Sequence, residues 1–132
     1  MARLFKVKTS TATLGISAAD PILFVVNNPG NTDFLGLAAT YGLNTATYYV
    51  KFYWTGQTNL SYAQMSNIVI SAACTVVPQL TIQVPAGGVY EPTNHWPVGG
   101  QGQLYFWAVS SVADATNTSL AVGGDTITVF YD

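Results

Sequence analysis

The chain has 132 residues, of which 4 are basic and 6 acidic, while 49% are hydrophobic. That length fits one domain, residues 1–132, and is enough to bury a core without disulfide or metal staples. A net charge of −2 supplies no global basic field for nucleic acid. The apolar run Ile22 to Val26 falls far short of the roughly 20 residues of a membrane helix.

The composition is that of an all-β protein. Thr, Val, Ile, Tyr, Phe and Trp abound, Gly, Pro, Asn and Asp punctuate them, and no helical periodicity is sustained. The first predicted strand is Arg3 to Lys8, at an edge that its lysines protect. Pro21 then opens the apolar run Ile22 to Val26, which suits a strand buried on both faces. Asn28-Pro29-Gly30-Asn31 signals a turn. Residues 31 to 45, with Gly36 and Gly42 and no clear period, read as a loop containing at most an irregular strand.

Thr45 to Trp54 is the clearest strand. Tyr48, Val50, Phe52 and Trp54 fall on one face, and Tyr49, Lys51 and Tyr53 on the other. Leu60 to Ser66 has the length of a single helical turn. Asn67 to Val77 reads as one or two β-branched strands, bounded by Pro78, which cannot donate a ladder hydrogen bond. Leu80 to Val84 alternates cleanly, with Leu80, Ile82 and Val84 inward. A long Gly/Pro-rich loop follows, Val89 to Gly102. Gln103 to Ser110 forms a strand in which Tyr105, Trp107 and Val109 oppose Leu104, Phe106 and Ala108. A polar connection, Asp114 to Ser119, and a very short strand, Leu120 to Val122, lead to the last strand, Thr126 to Tyr131. About seven to nine strands in a domain of this size predict a two-sheet antiparallel β-sandwich, with a jelly roll as its expected variety.

Charge is distributed unevenly. Phe52 to Tyr90, 39 residues, contains no Asp, Glu, Lys, Arg or His, whereas Arg3, Lys6 and Lys8 cluster at the start. Ordinary soluble domains carry about 25% charged residues. A chain at 8% either coats itself in uncharged polar groups or is covered by neighbours. Residues 1–9 therefore read as an edge strand or as a basic arm that docks on an acidic surface.

Catalytic constellations are sparse. One His and one Cys, at positions 95 and 74, give no metal-ligand spacing. Asp20, Asp33, Asp114 and Asp125 fit no calcium-loop pattern. Glu91 stands alone as a candidate sugar-cleft acid, and no Gly-x-Ser-x-Gly elbow presents a nucleophile. Cys74, among Ala, Thr and Val, reads as a buried inert thiol. The aromatics are the remaining binding chemistry: stacking platforms for a sugar, or, for Tyr48, Phe52 and Trp54 and for Tyr105 and Trp107, sandwich core or subunit interface.

The succession Tyr49-Val50-Lys51-Phe52-Tyr53, Leu80 to Gly88, Pro97-Val98-Gly99, Gln103 to Val109, Ala113 to Thr118 and Ala121 to Tyr131 resembles small virion structural proteins of tailed bacteriophages. The likeness spans roughly residues 45 to 131, and its motifs are strands and turns without catalytic content. Aromatic-rich strands and an insertion around Tyr62 to Val77 depart from the pattern. The resemblance implies a β-sandwich that decorates or cements a capsid, commonly as a homotrimer, with the major capsid protein as partner. It implies a place on the virion surface after assembly in the host cytoplasm, and no enzymatic activity, cofactor, metal, nucleic acid or membrane. The expected docking residues are Arg3, Phe5, Lys6 and Lys8. The alternative is a carbohydrate-binding or receptor-binding module on a virion or cell surface, acting through Tyr90, His95 and Trp96.

Overall fold

A computed structural model describes residues 8–14, 22–25, 31–40, 46–56, 61, 64, 77–85, 98–101, 103–113, 120 and 124–131. Eight strands lie among them: β1 (Lys8–Thr13), β2 (Ile22–Val25), β3 (Asn31–Thr40), β4 (Tyr48–Trp54), β5 (Leu80–Val84), β6 (Val98–Gln101), β7 (Leu104–Val109) and β8 (Thr126–Tyr131). They form two antiparallel four-stranded sheets, ordered β1-β8-β3-β6 and β2-β7-β4-β5. Among the described residues no helix is long and apolar enough to cross a membrane.

The pairing has a simple logic. β1 pairs with β8, β2 with β7, β3 with β6 and β4 with β5, so the chain runs out and back as one long ribbon folded between β4 and β5. Two further pairings, β3 with β8 and β4 with β7, close that ribbon into two sheets. Every connection except β4 to β5 crosses from one sheet to the other.

The core sits between the sheets. Tyr48, Val50, Phe52 and Trp54 of β4 meet Ile127 and Val129 of β8, with Leu14 and Leu120 closing the ends. This is the alternation expected of β4, and Ile82 and Val84 of β5 follow it, with Leu80 partly buried against them. Phe52 lies opposite Phe106 in register, and their rings stack with centroids 5.9 Å apart at 26°. Full burial of each such side chain contributes about 1.5–3 kcal/mol.

Three sequence expectations need correction. Asn31–Thr40 is not a loop but a ten-residue strand. It is flanked by β8 and β6, and its register shifts between Phe34 and Gly36. A bulge at glycine breaks the side-chain period while the backbone stays paired, which is why alternation was absent. Second, the end of the expected 89–102 loop is a strand, because Val98–Gln101 pairs with β3 despite Gly99 and Gly100. Third, the first strand does not end at Lys8 but runs on through the threonine-rich stretch to Thr13. It does form a sheet edge among the described strands. The expected strand positions 3–7, the 67–76 stretch and the 114–119 connection lie outside the described residues.

Strand ends are tied by side chains as well as ladders. The Trp54 N–H donates to Gln79 Oε1 at 2.6 Å, and Gln79 Nε2 donates back to the Trp54 carbonyl at 3.3 Å. The Gln79 amide thus imitates one more peptide of β5, just after Pro78, which has no N–H to offer. On the other side of β4, Thr55 N–H donates to the Gln103 carbonyl at 2.9 Å, and Gln103 N–H donates to Thr55 Oγ1 at 3.0 Å. Gly56 then turns the chain away with φ at 69°, a left-handed conformation that suits glycine. Gln79→Ala should lower unfolding free energy by about 1 kcal/mol, because Trp54 is buried and loses both partners. Gln79→Glu should cost more, since a carboxylate oxygen would then face the Trp54 carbonyl. Urea unfolding of both variants measures the difference; equal, negligible losses would show that the clamp contributes nothing.

At the expected short helical turn, Ser61 N–H donates to Gln64 Oε1 at 2.9 Å and Gln64 N–H donates to Ser61 Oγ at 3.2 Å. This is the reciprocal exchange of a capping box, and the spacing Ser61-x-x-Gln64 is its sequence signature.

Candidate functional site

Of the docking residues expected from the sequence, Arg3, Phe5 and Lys6 lie outside the described residues. Lys8 opens β1 opposite Tyr131 of β8. The glycan-binding alternative, Tyr90, His95 and Trp96, likewise lies outside the described residues, as do Cys74 and Glu91. Apart from Lys8, both sets lie outside the described residues, and the described chemistry lies elsewhere.

The aromatic platforms are one part of it. Tyr105 and Trp107 do not belong to the core between the sheets, because Leu104, Phe106 and Ala108 occupy that face of β7. They point to the back of the second sheet, and yet each is 1% exposed. Neither offers a stacking surface to a ligand in this conformation, and burial pushes the Tyr105 phenol above its ordinary pKa.

Lys51 shares that back face, directly opposite Trp107 in register. It is wholly buried, and its Nζ donates to the Ala113 carbonyl at 2.7 Å. Alternation had placed Lys51 on the outer face of β4 correctly; what it could not reveal was that this face is covered.

Asp125 is the other charged residue buried among the described residues, and in the sequence it is only one of four scattered acids. It stands just ahead of β8, where its carbonyl accepts the Leu14 N–H at 2.7 Å and Gly124 N–H donates to the Leu14 carbonyl at 2.9 Å. These bonds extend the β1·β8 ladder by a step and fix the Asp125 backbone. Its side chain accepts a hydrogen bond from Tyr48, on β4 of the opposite sheet. Burial first, then the Asp125 charge and this hydrogen bond, push the Tyr48 phenol far above its ordinary pKa. A phenol held neutral beside a buried carboxylate is a polar tie between the sheets.

Among the described residues no three His, Cys, Asp or Glu converge in a way that could hold a metal ion. Asp125, the one acid of the sequence's oxygen set with a described side chain, is engaged by Tyr48.

No protein-family model matches the chain, and no curated protein matches it. Among solved structures it is similar to a protein of Bacillus endospore appendages, described as a novel family of disulfide-linked pili. The identity is 12% and the TM-score 0.39, over 95% of this chain and 87% of that one.

Proposed function

We propose that this chain is a jelly-roll structural protein that decorates and cements a tailed-bacteriophage capsid, binding the major capsid protein and associating with itself as a homotrimer. The observation that carries the reading is the strand order β1-β8-β3-β6 and β2-β7-β4-β5. A ribbon folded once and closed in this way is two nested Greek keys, an architecture that recurs in capsid and lectin domains. The resemblance of residues 45 to 131 to small phage virion proteins favours the capsid over the lectin reading. So does the burial of Tyr105 and Trp107, which removes two of the aromatics a sugar would stack on.

A cement protein acts by burying surface across capsomer junctions, against the pressure of packaged DNA. Such work calls for a stiff core and an uncharged face, and the 39 consecutive residues without a charged side chain include exposed Val77, Gln79, Gln83 and Pro85. Interfaces of standard size bury about 1,600 Å², and three linked subunits bind as one unit. The basic arm with Arg3, Phe5, Lys6 and Lys8 is the proposed docking element, steered by an acidic outer shell.

Co-sedimentation with heads built from the accompanying major capsid protein tests this reading. Saturable binding that weakens with salt and is lost on deletion of residues 1–8 supports it, together with a trimer mass by light scattering. A monomer that ignores heads refutes it. Glycan-array binding abolished by Trp96→Ala would replace it with the carbohydrate-binding reading.

A further inference from the structure

Part of the back of the second sheet is buried. Lys51, Tyr105, Trp107 and Val109 share that face, and each is at most 1% exposed, while Tyr49 and Tyr53 beside them are half-buried. The outer face of an antiparallel sheet is commonly solvated, so a wholly buried Lys51 calls for a cover. The segment that follows β7 reaches it. The strand ends at Val109 beside Tyr49, and the chain then reverses, because the Ala113 carbonyl returns to within 2.7 Å of Lys51 Nζ. The returning segment itself faces water: Ser110, Val112 and Ala113 are exposed, Val112 at 59%.

A lysine suits this position for two reasons. Its aliphatic stem can lie along apolar neighbours such as Trp107, while its tip carries donors past them to a carbonyl beyond. The pairing of β4 with β7 and the Phe52–Phe106 stack are made in the sheet and on its opposite face, so neither requires residues 110–113. A segment that exposes its side chains at Ser110, Val112 and Ala113 opens more readily than the ladders beneath it.

We infer that Lys51 is a latch. Its hydrogen bond to Ala113 holds residues 110–113 as a strap beside Lys51, and the strap opens without unfolding the sandwich. Opening presents the Lys51 amino group to water. This inference does not rest on the capsid reading.

NMR relaxation and hydrogen exchange on the full-length chain test it through Lys51→Met, which keeps an apolar stem and removes the donor. The backbone order parameters of Val112 and Ala113 should fall to those of a flexible loop, while the β4 and β7 amides keep their exchange protection. A folded variant with unchanged order parameters at Val112 and Ala113 overturns the latch. The unsubstituted chain provides a second measurement should the variant fail to fold. Acylation of Lys51 by a small anhydride, followed by mass spectrometry, should proceed at a rate independent of low denaturant concentrations. A rate that follows global unfolding over the whole denaturant range means that the strap never opens separately, and overturns the proposal.

Discussion

Replacing Phe106 with alanine should lower the free energy of unfolding by about 3–5 kcal/mol. The side chain is wholly buried at the middle of the second sheet, on a strand paired on one side with β2 and on the other with β4. Its ring stacks on Phe52, so truncation removes transfer free energy, leaves a cavity and deprives Phe52 of its stacking partner. Domains are stable by only about 5–15 kcal/mol, so the variant should be marginal at room temperature. Phe106→Leu keeps most of the volume and should lose roughly half as much. The exposed valines serve as controls: Val77→Ala and Val112→Ala should change stability by no more than about 0.5 kcal/mol. Urea unfolding distinguishes these cases. A loss below about 1 kcal/mol for Phe106→Ala would mean that the core collapses around the gap or is packed differently.

The same residues explain how much of the fold could be read in advance. β4, β5 and β7 were legible because one face of each meets the core, and side chains alternate with that contact. β3 and β6 were not, because Gly36, Gly99 and Gly100 carry no pattern, and their places are set by backbone pairing with distant strands. Burial of the second face is likewise invisible to alternation. Lys51 and Trp107 have the parity of an outer face whether that face is wet or covered, and only the return of the chain at Ala113 decides it. Asp125 was hidden differently. After Gly123 and Gly124 it reads as a turn acid, and its partner Tyr48 lies 77 positions earlier on the other sheet. The Ser61-x-x-Gln64 spacing is that of a capping box, but the sequence reading of residues 60–66 stops at a single helical turn, and the reciprocal bonds emerge in the structure.

A chain with few ionisable groups makes those it buries informative. Lys51 and Asp125 are both closed off from water, one behind the second sheet and one between the sheets. Each ties together elements that the ladders alone do not join: Lys51 holds the segment after β7, and Asp125 reaches across to β4. Neither is placed where a substrate could meet it in this conformation. The few charges buried among the described residues specify shape.

Tyr48→Phe should reduce stability by about 1–3 kcal/mol at neutral pH, because it removes a donor from a carboxylate that is 1% exposed. Asp125→Asn should cost less, since the amide oxygen still accepts from the phenol. In a double-mutant cycle the two substitutions should couple by about 0.5–3 kcal/mol, as for directly interacting residues. The pH dependence gives an independent readout. An unfolded tyrosine releases its proton near pH 10, while folded Tyr48 retains it, so above that pH the folded state binds more protons than the unfolded state. Stability from this group is therefore complete below the ordinary tyrosine range and is lost as pH rises through and beyond it, by about 1.4 kcal/mol per pH unit at most. Tyr48→Phe should flatten this decline but not abolish it, because burial also raises the Tyr105 phenol. Urea unfolding at intervals from pH 8 upward compares the two slopes. Parallel declines for the variant and the unsubstituted chain would show that Tyr48 does not hold its proton against Asp125, and the tie between the sheets would have to be sought elsewhere.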